Sequence, residues 1–399
     1  MPSARSGRRV KQLEGYVAFE PAPLPPEPPI EMDRSLQRAL SRADQEVGRL
    51  DGASRFIPDA ELFLAMFVRR EALLSSQIEG TDCTLDDLFV VEMGHDLGRG
   101  DELADLDVRE VVNYVAAMDL GLRRLVELPL SNRLLREVHA ELLRDGRGSN
   151  KEPGRFRRTQ NWIGPPGCDL ATASYVPPPP HVMNDAMSSL EKFLHQTELP
   201  VLVTAGLAHA QFETIHPFLD GNGRTGRLLV GLFLNARGVL SRPVLHLSTY
   251  LRRHRARYFD HLTAVRDEGA WEPWLEFFLD GVASTAAEAA VTAQQVQQLR
   301  ERDRSTLQSV AGTYELQLLD ALYRQPLVNA TWVQRRLHVA PATANKVLAR
   351  CEAAGILRET TGGRRNRLFR YDEYLDLFDT PIAPVEDDAT HTDVSHAGQ

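Results

Sequence analysis

Cysteine is scarce in this chain: Cys83, Cys168 and Cys351 are the only three in 399 residues, they lie far apart, and no CxxC pair occurs. That argues against a disulfide scaffold and against a cysteine zinc site, and a reducing, cytoplasmic setting is expected. No stretch approaches the ~20 uninterrupted apolar residues that a spanning helix needs, so no membrane partner is expected. The basic opening MPSARSGRRVKQLEG runs into no apolar segment, and secretion is not indicated. A net charge of −9 argues against a molecule that coats nucleic acid over its whole surface, while leaving room for a locally basic unit.

What is present is ordinary globular text, 43% apolar and 25% charged, on a chain long enough for two or three cores. Residues 1–32 are proline-rich, with LPPEPP at 24–29, and are expected to be extended. From Met32 the apolar period is helical. Leu62, Met66, Arg69, Arg70 and Leu73 fall on successive turns of one helix, which runs into SSQIEG at 75–80 and stops at a helix-ending glycine, Gly80. Residues 103–145 and 181–197 are helical too. Between them GRFRRTQNWIGPPGCDLATASYVPPPP, 154–180, reads as an irregular β-hairpin or flap closed by prolines, or else as a surface loop without a task.

Helical text returns over 200–280, and a polar Ala/Gln-rich helix at 281–308 is expected to link domains. These readings divide the chain into an N-terminal helical region (1–95), a core with its linker helix (96–300), a C-terminal unit (313–378) and a polar, acidic, disordered tail (380–399). The fold class is mainly α.

Residues 216–227, HPFLDGNGRTGR, carry the chemistry. Upstream, Leu202, Ala205, Ala208, His209, Phe212 and Ile215 recur at helical spacing behind Pro200, which puts His216 at a helix end. Downstream, Leu228 to Ala236 is apolar almost all round, the pattern of a buried helix closed by Gly238. The GNG turn therefore enters a buried helix at its N-terminus, where unpaired N–H groups and the helix dipole favour an anion.

Gly221 and Gly223 permit close approach of a phosphate, Asn222 offers a side-chain donor, and Arg224 and Arg227 share one face of the first turn. Asp220 would repel such a ligand unless a Mg²⁺ bridged the two. His216 would serve as a base taking the proton of an attacking hydroxyl. GNGRTG also fits GxGxxG, but a dinucleotide turn needs a strand before it, and the preceding text is helical. A bare helix–helix turn leaves His216, Asp220, Asn222 and the two arginines without a common reason.

The stretch HPFLDGNGRTGR is similar to the Fic-domain motif HxFx(D/E)GNGRxxR at every defined position, and residues 100–280 resemble the Fic helical core with its β-hairpin flap. The resemblance implies a protein adenylyltransferase, moving AMP from ATP to a Ser, Thr or Tyr hydroxyl of a target protein. His216 would deprotonate that hydroxyl, Phe218 would anchor the loop, and Asp220 would hold Mg²⁺. Gly221, Asn222, Gly223, Arg224, Thr225, Gly226 and Arg227 would hold the phosphates. The flap would dock the target by strand addition. Tyr250 and Arg253, within LSTYLRRHRARYF, would lie over the base, unless those arginines form a solvated helix face.

SSQIEG likewise resembles the inhibitory (S/T)xxxE(G/N) motif, with Ser75, Glu79 and Gly80 at its defined positions. The resemblance implies that Glu79 pairs with Arg227 and takes the donor meant for the γ-phosphate. Removal of AMP assisted by the same glutamate, and transfer of another nucleotide such as UMP, stay open.

Residues 331–371 read as helix, turn, helix, strand, glycine turn and strand, the order of a winged helix-turn-helix. Thr343, Asn345 and Lys346 would start the recognition helix, with Arg364, Arg365 and Arg367 on the wing. Ten Arg/Lys against four acids lie between Thr313 and Tyr371, which suits DNA phosphates, though protein contact or dimerisation would use the same fold. Winged-helix tails and homodimers also fit the Fic resemblance. A nucleotide-sensing DNA-binding regulator is thus the competing class.

Overall fold

The structure is a computed structural model that describes residues 5–55, 60–96, 105–165, 167–310, 312–363 and 366–378, the side chains at 55, 60–64, 95–96 and 309–310 excepted. The expected disordered tail, the wing arginines Arg364 and Arg365, and the side chain of Leu62 lie outside the described residues.

The proline-rich start is more ordered than its composition suggests. Strands β1 (Gly7–Lys11) and β2 (Val17–Pro21) form an antiparallel hairpin, with Gly7 opposite Pro21 and Lys11 opposite Val17. Helices α1 (Arg34–Arg55), α2 (Ala60–Ile78) and α3 (Leu85–Asp96) follow, then α4 (Leu106–Leu125) and α5 (Asn132–Leu142). Asp105 and Ser131 cap the last two, their side chains accepting from the backbone of Val108 and Leu134.

After the flap come α6 (Pro180–Leu194), α7 (Val201–Ile215), α8 (Asn222–Ala236), α9 (Ser248–Arg253), α10 (Arg255–Glu268) and the long α11 (Trp271–Val310). Helix α7 is the centre: every residue from Leu202 to Ile215 is buried, as a helix apolar on all sides demands. It packs on α8, α6 and α11, and the Trp274 indole of α11 donates to the Gly206 carbonyl of α7 at 2.9 Å.

The expected linker helix differs from its reading. Residues 281–308 are the continuation of α11, and Ala283, Ala286, Ala289, Ala290 and Ala293 are buried on it. Helix α1 lies along α11, presenting its own stripe of Leu36, Ala39, Ala43, Val47 and Leu50. The alanines that looked like linker composition are small residues that let two helices approach closely.

The flap is also sparser than a hairpin. A single antiparallel bridge joins Ile163 and Tyr175, since the prolines around it supply no N–H for a ladder. Its position is fixed otherwise: the Tyr175 hydroxyl donates to the Thr214 carbonyl at 2.6 Å, and the Phe19 amide of β2 donates to the Val176 carbonyl at 2.9 Å.

The C-terminal unit runs α12 (Thr313–Leu322), β3 (Leu327–Asn329), α13 (Ala330–Leu337), α14 (Pro341–Ala353), β4 (Arg358–Glu359), β5 (Leu368–Arg370) and α15 (Asp372–Asp376). The strands form an antiparallel sheet in the order β3-β5-β4. His338, with φ of 54°, makes the turn between α13 and α14. The unit docks on α3, where Arg370 pairs with Asp86 at 3.1 Å and the Gln325 amide donates to the Phe89 carbonyl at 2.9 Å.

Candidate active site

The site is built where α7 ends and α8 begins. His216 caps α7 in a left-handed conformation, φ 49° and ψ 61°, which a residue with a Cβ adopts only when its surroundings impose it. Arg157 imposes it: its Nε donates to the His216 carbonyl at 3.0 Å, and its other nitrogens donate to the carbonyls of Thr159 and Pro178. The Asn161 amide donates to the Phe218 carbonyl at 2.9 Å. Burial draws the Arg157 guanidinium down to about 10, since its helpers are carbonyls rather than a carboxylate.

Phe218 is wholly buried and stacks on His139, with ring centroids 3.6 Å apart. His139 has a defined tautomer. Its Nδ1 accepts from the Gly154 amide at 2.9 Å, so Nε2 carries the hydrogen and donates to the Asp220 carbonyl, also at 2.9 Å. Burial lowers its pKa to about 4, and the ring is neutral near pH 7.

Asn222 has a second task beside the one expected of it. Its side-chain oxygen accepts from the Phe218 amide at 2.8 Å and its NH₂ donates to the Phe218 carbonyl at 2.9 Å, so its side chain closes the loop on itself. Gly221, with φ of 73°, makes the entry into α8, and its amide donates to Asp220 Oδ1 at 2.6 Å.

The two arginines face two carboxylates. Arg227, 4% exposed, donates from Nε to the Ser75 hydroxyl at 2.7 Å, and from Nη2 to the Ser75 carbonyl at 2.9 Å and to Glu79 Oε1 at 2.7 Å. Burial acts to lower its pKa, but Glu79, Tyr258 and Glu213 together outweigh it and the net shift is upward. Gly80, with φ of 92°, turns the chain away directly after Glu79. Arg224 is equally buried; its Nη1 lies 3.2 Å from Glu110 Oε2 and its Nη2 lies 3.9 Å from Asp220 Oδ1. Its Nε and Nη1 have no aligned hydrogen-bond acceptor among the described residues.

Gly223 shows what lies over the first turn of α8. A Cβ there would come within 2.2 Å of Glu79 Oε1 and 3.1 Å of Arg227 Nη1. A carboxylate thus sits on the helix N-terminus, where an anion is favoured, and only a glycine admits it. Thr225 and Gly226 lie deeper: the Thr225 hydroxyl donates to the Gly221 carbonyl at 2.8 Å, and a Cβ on Gly226 would strike Glu213 Oε1 at 2.4 Å. Burial pushes Glu213 up to about 7, with Arg227 opposing and Glu79 adding to the rise.

Tyr250 and Arg253, expected over the base rather than at the glycine turn, both contact α11. The Tyr250 ring packs on Phe277 and over Gly281, and Arg253 pairs with Glu288 at 3.2 Å, both on α11. From the same stretch Arg255 reaches the end of α2, donating to the Ile78 carbonyl at 3.2 Å.

Among the described residues no group of three or more His, Cys, Asp or Glu could hold a metal ion. Asp220 alone suits a Mg²⁺ that draws its other ligands from phosphates and water, the usual arrangement for that ion. No helix among the described residues is long and apolar enough to cross a membrane.

Residues 37–123 match the Fic/DOC family N-terminal region and residues 129–234 match the Fic/DOC family. A protein adenylyltransferase Fic from Culex quinquefasciatus is 34% identical over 149 residues, 37% of this chain and 26% of that protein. One from Drosophila virilis is 30% identical over 181 residues, 43% of this chain and 34% of that protein. The matches thus span 26% and 34% of these curated relatives. A crystal structure of a Fic family protein from Desulfovibrio desulfuricans G20 shares the fold, at a TM-score of 0.55 and 20% identity, over 86% of this chain and 97% of that one.

A helical protein whose buried helix begins at HPFLDGNGRTGR is a Fic-fold protein. Within this chain a Fic/DOC N-terminal region at residues 37–123 precedes a Fic domain at residues 129–234.

Proposed function

We propose that this chain transfers AMP from ATP to a Ser, Thr or Tyr hydroxyl of a target protein, and of itself, and that Glu79 restrains it. The observation that carries the reading is the Glu79 carboxylate on the N-terminus of α8, against Gly223 and Arg227. That place takes an anion, and Arg224 brings two further buried donors without aligned acceptors. The names of the relatives supply the class of reaction.

In the reaction the target hydroxyl oxygen attacks the α-phosphorus, the bond to the bridging oxygen breaks, and pyrophosphate leaves. His216 takes the hydroxyl proton. Arg157 and Asn161 hold the His216 loop at its angle. Arg224 and Arg227 neutralise charge on the β- and γ-phosphates, and the α8 N-terminus stabilises the same group. Asp220 would hold a Mg²⁺, which when bound would offset phosphate charge. Glu79 in place removes Arg227 from this set, so ATP binds out of line for attack. The buried thiols Cys83 and Cys351 support a reducing, cytoplasmic setting.

The test uses α-labelled ATP and Mg²⁺ on wild type, Glu79→Gly and His216→Ala, alone and with cell lysate. Glu79→Gly is expected to label protein at least ~10-fold faster than wild type, the scale of one charge-assisted contact. His216→Ala is expected to label nothing. Equal labelling by wild type and Glu79→Gly would remove the restraint from the reading.

The C-terminal unit supports a winged helix by element order, with Asn345 and Lys346 exposed on α14 and Thr343 half-buried. DNA contact draws less support. Arg350, Arg358, Arg367 and Arg370 are paired with Glu315, Asp372, Glu352 and Asp86, and the Asn345 amide bonds back to Pro341.

A further inference from the structure

The restraint described so far concerns Arg227. The structure places a second carboxylate on the other arginine. Glu110 of α4 is 2% exposed, and its Oε2 serves two groups: it lies 3.2 Å from Arg224 Nη1 and accepts the Thr81 hydroxyl at 2.8 Å. Its Oε1 lies 3.1 Å from Arg147 Nε. Arg147 also pairs with Asp107 at 2.8 Å, and the second oxygen of Asp107 accepts the Asp82 amide at 2.8 Å. The two residues that follow Gly80 are therefore fastened to α4 through the acids that Arg147 bridges, and one of those acids faces Arg224.

Thr81 is the short-circuit in this arrangement. Its hydroxyl donates to Oε2 at 2.8 Å, whereas the Arg224 contact to the same oxygen at 3.2 Å is misaligned, leaving Nη1 and Nε without an aligned acceptor. A buried guanidinium without aligned partners is costly, so it will take a better geometry when one is offered.

We propose that Glu110 is a positioning residue for Arg224, and that its bond to Thr81 ties the pose of this arginine to the segment bearing Glu79. While Glu79 is seated, Thr81 shares the Glu110 oxygen and Arg224 is held off-line. When the segment withdraws, Thr81 leaves with it, Oε2 aligns with Arg224 Nη1, and the remaining nitrogens turn to the phosphates. One segment then restrains both arginines, Arg227 by occupying it and Arg224 through Glu110. The inference rests on the adenylyltransferase reading above.

The test is nucleotide binding by the full chain, measured calorimetrically with ADP and with AMP, because Arg224 acts beyond the α-phosphate. In the Glu79→Gly background, Glu110→Gln is expected to weaken ADP ~10-fold while AMP changes less than ~2-fold, as loss of one charged hydrogen bond would. Thr81→Val, which keeps shape and removes the hydroxyl, is expected to strengthen ADP several-fold, on the order of one hydrogen bond, in the wild-type background and to change nothing in Glu79→Gly. Equal loss of ADP and AMP in Glu110→Gln, or the same Thr81→Val effect in both backgrounds, overturns the inference alone. If Glu79→Gly binds neither nucleotide, the adenylyltransferase reading fails and the inference falls with it.

Discussion

Arg157 is the residue on which the geometry of His216 most depends. A buried guanidinium surrounded by carbonyls satisfies several acceptors at once, and its removal would orphan them. Arg157→Met is expected to destabilise the fold by about 3 kcal/mol, from two or more orphaned carbonyls, read as a lower thermal midpoint. In the Glu79→Gly background Arg157→Lys is expected to lower kcat more than it raises KM for ATP, because an ammonium cannot fork onto the same carbonyls.

Glu213 makes a prediction of opposite kind. Its carboxyl holds a proton up to about 7 in the fold against an ordinary 4.5, so between those values the folded state binds more protons than the unfolded one. Its contribution is thus complete below pH 4.5 and is lost as pH rises through 7. Buried His139 and His209, lowered to about 4, act with reverse sign over part of that range, losing stability as pH falls. The informative measurement is therefore the difference in melting profile between wild type and Glu213→Gln, which should grow in the variant's favour from pH 5 to pH 7.

At the scale of elements, the close approach of the Glu79 segment after α2 to the start of α8 turns on Gly223. Gly223→Ala would press a methyl group against both the Glu79 carboxylate and the Arg227 guanidinium. It is expected to abolish labelling and ADP binding together, unlike Glu79→Gly, since the phosphate needs the same approach. On the far side of α7, a Cβ on Gly206 would meet Leu275 and Phe278 at 2.9 Å, so Gly206→Ala is expected to cost about 1–3 kcal/mol in a chemical denaturation.

The same scale explains what could be read from the sequence. His216, Asp220, the glycines and both arginines fall in one contiguous run whose spacing reports their joint task, and SSQIEG names its own partner once that run is known. Glu110, Arg157 and His139 come from other segments and meet the loop only through packing. Nothing in GRFRRTQNW distinguishes the arginine that turns inward from its neighbours that turn out. The loop-closing bonds of Asn222 are not legible either, because an amide beside a phosphate turn and an amide that closes the turn look alike in sequence. The packing of Tyr250 and Arg253 against α11 is likewise a matter of tertiary contact that the local sequence does not announce.

For the whole molecule, the C-terminal unit and the Fic domain meet the N-terminal region on two sides, through α3 and through α1 with α11. Helix α3 follows directly on the switch segment, so the unit that docks on it is mechanically adjacent to Glu79. Arg370→Ala, which breaks the pair with Asp86, is expected to raise hydrogen exchange in β3 and α3 by ~10-fold without altering exchange in α7. Uniform exchange in α3 would mean that Phe89 and Gln325 hold the docking alone.

On the proposed reading, Glu79 and the γ-phosphate of an in-line ATP would need the same bare turn at Gly223, and the resting chain would respond to nucleotide supply. A chain seated closed about 99% of the time would show an affinity for the in-line pose of ATP lowered ~100-fold, and a ligand that favours that pose would win back the open population by mass action. A carboxylate and one missing methyl group would thus set a threshold for productive nucleotide binding, which any ligand that loosens α2 or α3 would lower.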